Sequence, residues 1–497
     1  MDARFATHEG IYTILQRADD LPGLLDVRVG EWLAWPAAKT YVYSRLFAAL
    51  FVSDDFQASG PRVLRTDHAL RRLRRAFAHL RAALDALPAR GTRARIAWLV
   101  STHPSVGPDG IVRDSIVDDV PRALSAHADQ IWFAAPVGAA EAGGIAATTV
   151  HDAANTLAAA LEPLQRLRPS VRKAAADMAR RLRALSPDAG GESWSRLLVE
   201  ALSAFEAHRL AWNRVFRAVR PSVLLVTDAA YHVGEVAAAR EAGVRVAEFQ
   251  HGLFGPRCPE YGWPRGLAES KRRVPVADRL FVFGDLFRDA ALHNGFWQPE
   301  QIRVIGSGAL HRHRAALADA ARDRSVPRVL FFTQLISRGD ALKFWNAYLT
   351  EMTQGRVRSC AVTIKVHPEE RRDGGVYDVL AARFADRCTV VSWDAEPLAL
   401  TRAHDVVVSY TSNALIEAVG LGVPAVSLSG THVPAGVFGL CPIPGAAAMI
   451  PTVTTPLELD RIIADLTAGR DVSSSRGFYA DHAAGTALAA CLELLTV

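Results

Sequence analysis

The chain has 497 residues, half of them hydrophobic and 22% charged, with 57 lysines and arginines against 52 aspartates and glutamates. That length exceeds one ordinary hydrophobic core and implies two large domains, and the composition excludes a disordered or fibrous chain. A formal charge of +5 is small over this length; it argues against nucleic acid as a partner and leaves room for a local basic patch.

The five cysteines (Cys258, Cys360, Cys388, Cys441, Cys491) are scattered, with no CxxC pair and no metal-ligand spacing to histidine. Neither a zinc site nor a disulfide framework is expected, and a reducing cytosol is the simplest location. The opening MDARFATHEG carries charge early and lacks a signal-peptide core. No apolar run of about 18 or more residues is present, so no membrane span is expected.

In chain order, residues 1–90 read as mostly helical, with an Arg- and Ala-rich stretch near 62–90. A first strand, Ile96–Val100, runs into Ser101-Thr102-His103-Pro104. Residues 152–218 are helical again, with one break at Pro187–Gly191. Val223–Thr227, a helix Glu235–Glu241 and Val244–Phe249 then form a strand–helix–strand unit, which requires parallel pairing. Further strands are Arg279–Phe283 and Ile302–Ile305. The charged segment 311–327 suits an exposed interdomain linker, which puts a domain boundary near residue 312. Beyond it, strands at 328–333, 361–366, 389–392, 405–409 and 424–428 alternate with helices near 340–353, 374–385, 395–402 and 412–421. The expected fold class is α/β, two Rossmann-like domains facing a cleft, 1–312 and 313–497, the first with extra helices.

Ligands of open parallel sheets bind beyond the carboxyl ends of the strands. On the second domain those ends carry Lys365-Val366-His367-Pro368, Thr333-Gln334 and Ser409-Tyr410-Thr411-Ser412-Asn413. A cation, an imidazole and hydroxyls at a helix start can hold the phosphate of a nucleotide donor, and Glu417, a turn further on, can accept hydrogen bonds from a ribose. Serine, threonine and asparagine are also ordinary helix caps, but a cap needs one side chain and not four. On the first domain, Phe249-Gln250-His251-Gly252 ends a strand. His251 titrates near neutrality and can deprotonate an acceptor hydroxyl; Asp228 is the competing base. Gly252 permits close backbone approach. His232, Glu235, Gln250 and the weaker candidate His103 lie where an acceptor would be oriented. The acids Asp114, Asp118 and Asp119 show no ligand pattern and read as solvated.

The strings Phe249-Gln250-His251-Gly252, Ala277-Asp278 through Gly284, Val304–Gly308, Lys365–Pro368 and Ser409–Ala418 together resemble bacterial GT-B enzymes of surface-polysaccharide assembly. These include capsule-polysaccharide Kdo transferases, sialyltransferase-like enzymes and, more distantly, the glycerophosphotransferases of teichoic acid synthesis. The resemblance covers roughly residues 205–430. It implies a nucleotide-sugar donor on the second domain, a glycan or lipid-linked acceptor on the first, and chemistry without a metal or other cofactor. By the same resemblance His251 maps onto a base and His367 onto a donor-phosphate contact, and Lys-x-His-Pro leans toward cytidine-activated donors, CMP-ulosonic acids such as Kdo or a sialic acid. Gln250 stands where the teichoic acid enzymes carry Trp, and Tyr410 where they carry Asp, which points away from glycerophosphate.

Two other readings remain open: a nucleotide-sugar 2-epimerase, and a non-catalytic nucleotide- or glycan-binding module. The apolar run Tyr41–Phe51 followed by Arg62, Arg65, Arg71, Arg72, Arg74, Arg75 and Arg81 could dock on anionic lipid at the inner face of the membrane. The plainer reading of it is a core helix with a solvated arginine face.

Overall fold

The computed structural model describes residues 5–50, 66–87, 95–100, 104–106, 112–114, 116–134, 145–146, 148–315, 326–370, 375–440, 442–443, 446, 449–467, 477–480 and 485–496. Two short antiparallel hairpins, β1 (Arg28–Val29) with β2 (Trp32–Leu33) and β4 (Pro104–Val106) with β5 (Val112–Asp114), stand apart from two large parallel sheets.

The first sheet contains β3 (Arg95–Leu99), β6 (Asp129–Ala134), β7 (Ile145–Ala146), β8 (Val223–Thr227), β9 (Arg245–Phe249), β10 (Arg279–Val282) and β11 (Ile302–Val304), ordered β11-β10-β9-β8-β3-β6-β7. The second contains β12 (Arg328–Phe332), β13 (Ala361–Lys365), β14 (Cys388–Val391), β15 (Val406–Ser409), β16 (Ala425–Leu428) and β17 (Thr452–Val453), ordered β14-β13-β12-β15-β16-β17. Both follow the doubly wound scheme, in which the chain starts at the centre, moves to one edge and then restarts toward the other. Every pairing in both sheets is parallel. Strands such as Val223-Leu224-Leu225-Val226 are buried along their whole length, as helices on both faces require. The expected pair of Rossmann-like domains is therefore present.

Besides the two hairpins, three strands of the parallel sheets escape the sequence pattern. β6 carries Gln130 in a buried position, where its amide accepts from Trp98 Nε1 at 2.7 Å and donates to the Pro121 carbonyl at 2.7 Å. A polar residue satisfied in this way breaks the apolar run without breaking the strand. β7 and β17 are two residues each, too short to leave a period. Residues 148–219 also break twice, the additional break falling before Pro169, which starts the helix Pro169–Leu182.

The helix Trp194–Val219 backs the first sheet with its later half, through Trp212, Val215 and Phe216. Its earlier half enters a separate helical core with the helices His8–Asp19, Ala34–Ala49 and Pro169–Leu182. Val42, Tyr43 and Leu46 are buried there, so the apolar run that could have met lipid faces the protein interior. Arg71, Arg72, Arg74, Arg75 and Arg81 are exposed along the helix Thr66–Asp85; Arg62 and Arg65 lie outside the described residues. No helix among the described residues is long and apolar enough to cross a membrane.

The boundary near 312 falls inside the helix Gly308–Ala315, after the last strand of the first sheet. Arg312 is not a solvated linker charge: Nη1 reaches Asp118 at 2.7 Å and Asp119 at 3.3 Å, so this acidic pair anchors the crossing and is not simply solvated. The chain then returns. The helix Thr486–Thr496, expected with the second domain, packs Ala487, Ala490, Cys491 and Leu494 under Ile96, Trp98, Leu225 and Phe249 of the first sheet. Domain association is thus built into the chain path as well as into the cleft.

Candidate functional site

β8 ends at Thr227, and Asp228 follows it with φ +55° and ψ +46°. A non-glycine residue held in the left-handed region costs about 1–3 kcal/mol, and such strain gathers at functional sites. The register Thr227↔Phe249 between β8 and β9 brings the next residues of both strands side by side. His251 Nδ1 lies 2.6 Å from Asp228 Oδ2, with both side chains partly exposed. The two competing bases are therefore one pair. A carboxylate this close to Nδ1 favours the ring orientation and tautomer in which Nε2 serves as the acid–base atom.

The loop that carries His251 is pinned at every residue. Gln250 is buried; its N–H donates to the Phe281 carbonyl at 2.9 Å, its Oε1 accepts from Phe283 N at 2.8 Å, and its Nε2 donates to the Gly252 carbonyl at 2.7 Å. With both amide ends engaged inside the fold, Gln250 does not face an acceptor. The His251 N–H donates to the Tyr261 hydroxyl at 3.4 Å, and Leu253 N–H donates to Asn413 Oδ1 at 2.7 Å. That last bond crosses from one domain to the other. A Cβ on Gly252 would sit 2.3 Å from Asn413 Nδ2, so the close approach at this glycine is by Asn413.

The expected acceptor-side acid Glu235 is buried. His208 Nδ1 meets its Oε1 at 2.8 Å and His232 Nδ1 at 3.8 Å. Burial alone would raise its pKa, but His208 and then His232 outweigh that and hold the carboxyl well below its usual range. Glu235 in turn raises the His208 imidazole against the effect of its burial. This pair ties the helix Val233–Glu241 to Trp194–Val219, so Glu235 serves the scaffold; only the partly exposed His232 remains near the cleft. His103 lies outside the described residues.

On the second domain, β12 and β15 are the adjacent strands at which the winding reverses, where a doubly wound sheet opens its crevice. Ser409 is buried and its Oγ donates to the Phe332 carbonyl at 2.8 Å, stitching β15 to β12. Thr411 is paired with Gln334: its N–H donates to Oε1 at 2.8 Å, and Gln334 Nε2 donates to Thr411 Oγ1 at 3.1 Å. Ser412 Oγ accepts from Ala414 N at 3.3 Å, and Asn413, at the cap position of the short helix Ala414–Gly420, reaches across the cleft instead of capping. The four polar side chains thus divide into two stitches, one cap and one cross-domain contact.

Lys365 is buried, and its Nζ donates to the Trp393 carbonyl at 2.9 Å; burial lowers its pKa, with Asp394 and Glu396 opposing. Its ammonium shapes the loop after β14 and does not open into the crevice. His367 is partly exposed after β13, with its N–H donating to Thr333 Oγ1 at 2.8 Å, and Pro368 is exposed beside it. That turn is braced by Glu370, fully buried, which bonds the Thr333 hydroxyl, Arg338 Nε at 3.1 Å and the Tyr377 hydroxyl at 3.4 Å. Glu417 is raised to about 7 by burial and by Glu396, with His251 acting in the opposite direction, so it feels the charge of the histidine on the other domain.

Three residues went unremarked in the sequence. Glu248 and Tyr261 lie behind the Asp228–His251 pair, and a carboxylate inside the apolar run Val244–Phe249 was their available signal. Trp393, 42% exposed just past the carboxyl end of the edge strand β14, offers an aromatic face at that end of the sheet. Among the described residues, no group of three or more His, Cys, Asp or Glu is placed to hold a metal ion.

No family model and no curated protein matches this chain. Solved structures with a similar chain trace include a putative UDP-N-acetylglucosamine 2-epimerase from Listeria monocytogenes (14% identity, 81% of this chain and 96% of that one, TM-score 0.47). Others are the UDP-GlcNAc 2-epimerase of Methanocaldococcus jannaschii (12%, 80% and 99%, TM-score 0.46) and the glycotransferase of kitacinnamycin (15%, 82% and 100%, TM-score 0.46). At such low identities and scores the site has to be read from its own geometry.

Proposed function

We propose that this chain is a glycosyltransferase that moves a sugar from a nucleotide donor held by the second domain to an acceptor hydroxyl on the first. The observation that carries this reading is the His251–Asp228 pair at the carboxyl ends of β8 and β9, tied across the cleft to the turn at Asn413. In the proposed step the acceptor oxygen attacks the anomeric carbon while the bond from that carbon to the donor phosphate oxygen breaks. The acceptor proton passes to His251 Nε2, and Asp228 stabilises the imidazolium that results. In this reading His367 and the Ser412–Asn413 turn face the departing phosphate, and Trp393 stacks on the base. By the resemblance of the Lys365–Pro368 string, and with Lys365 shaping the loop from behind, the favoured donor is a CMP-activated ulosonic acid, Kdo or a sialic acid, with a glycan or lipid-linked acceptor.

A thermal-shift screen against CMP, CDP, UDP and GDP tests the donor class, because a ligand of the native state raises its stability by mass action. CMP or CDP is expected to stand out. Nucleotide release from the matching nucleotide sugar should fall by about 10²–10⁴-fold in His251→Ala with nucleotide binding retained; normal turnover in that variant would refute the assignment.

One observation favours a second reading. Burial pushes the Glu417 carboxyl up to about 7, with His251 of the other domain acting against the rise, and isomerisation at a single carbon needs one group to remove a proton and another to return it. Incubation with UDP-GlcNAc alone separates the two, since only a 2-epimerase forms an epimer without an acceptor.

A further inference from the structure

Behind the Asp228–His251 pair lies a second carboxyl. Glu248 is 4% exposed on β9 and stands opposite apolar Val226 and Leu280 on the neighbouring strands. Its Oε1 accepts the Ala229 N–H at 3.0 Å, which is the peptide immediately after Asp228. The Tyr261 hydroxyl, which takes the His251 N–H, is the other polar group set against its carboxyl. The backbones that present the two members of the pair are thereby joined through one buried group.

We propose that Glu248 is a positioning residue: its carboxyl, reaching Ala229 on one side and Tyr261 on the other, holds Asp228 in its left-handed conformation and His251 within bonding distance of it. The inference rests on the reading of that pair as the proton acceptor and names what keeps it assembled. Asp228, Glu260 and Tyr261 are the titratable groups that face Glu248. Burial pushes the carboxyl up to about 8 against the pull of the Ala229 N–H and the Tyr261 hydroxyl, so at neutral pH it is a neutral acid and adds no second negative charge beside Asp228. A glutamine is therefore its close mimic, keeping shape, neutrality and an acceptor oxygen, whereas leucine keeps only volume.

The test reads the pair directly and needs no substrate. In protein with ¹⁵N-labelled histidine, an imidazole bound to a carboxylate through Nδ1 gives a far-downfield, slowly exchanging N–H proton; the His251 signal is assigned by its disappearance in His251→Ala. Glu248→Gln should retain that signal and Glu248→Leu should lose it, with the thermal transition of both variants still cooperative. Retention of the signal in Glu248→Leu, or its loss in both variants, overturns the inference. If Glu248→Leu does not fold, Tyr261→Phe removes only the linking hydroxyl, and an unaltered signal there overturns it equally. Failure of the transferase reading looks different: His251→Ala would then turn over normally whatever the Glu248 variants show.

Discussion

The two sheets have the same winding, yet their carboxyl ends are used in opposite ways. At the ends of β8 and β9 the chain accepts a strained Asp228, a buried acid behind it and a loop fixed at every peptide, all to present one imidazole edge. At the ends of β12 and β15 the polar side chains mostly bond within their own domain, and Asn413 alone of them reaches across to Leu253, while His367 follows β13 partly exposed. On the proposed reading, proton transfer demands a reacting atom held to a fraction of an ångström, which accounts for the strain and for a buried neutral acid. Holding a nucleotide demands a stable rim with a few projecting groups. On that reading the first domain carries the chemistry and the second the binding, and each half of that contrast can be challenged.

The largest effect expected on the binding side comes from His367→Ala. Its backbone N–H stays on Thr333 and Glu370 still braces the turn, so the melting temperature should be unchanged. Loss of a group facing the departing phosphate should lower turnover by about 10²–10³-fold. If activity falls only through protein instability, His367 belongs with the rim and not with the donor.

Gly252→Ala addresses the seam between the two regions. The new methyl would lie 2.3 Å from Asn413 Nδ2, pushing that side chain off Leu253 N–H and shifting the His251 loop. Turnover should drop about 10–100-fold, the order expected when a reacting group is misplaced by about 1 Å. Adding Asn413→Ala to this variant should restore part of the loss, a positive coupling in a double-mutant cycle. Additive losses would mean that the two residues do not meet in the working enzyme.

How much of this the sequence disclosed follows from which forces act locally. β8, β12 and β15 announce themselves because strands buried on both faces must be apolar throughout, and their ends could be read as the site because parallel sheets place ligands there. β6 stayed hidden because Gln130 meets its partners, Trp98 and Pro121, only in the folded chain. The same limit governs the site. Asp228 and His251 were both legible as bases, but their pairing depends on the register of β8 against β9. Lys365 and Gln250 have the chemistry of ligand contacts, and only tertiary structure shows their polar ends already taken by Trp393 and by Gly252 and Phe283.

The smallest effect asks whether the two regions meet at all in solution. Glu417 belongs to the second domain, and its pKa is raised from 4.5 to about 7 chiefly by burial at the cleft. A carboxyl raised on folding contributes stability that is fully present below its unfolded pKa and is lost as pH rises through the folded one. Between about pH 4.5 and 7 the melting temperature of the wild-type chain should therefore decline relative to that of Glu417→Gln, which cannot ionise. Glu417 is partly exposed, so water screens the penalty and the difference should amount to about 1–2 °C across that window. Opening the cleft would hydrate the carboxyl, return it toward its ordinary range and remove the difference. Parallel pH profiles for wild type and Glu417→Gln would thus mean that the binding region and the chemical region stand apart in the free protein, with closure left to the donor.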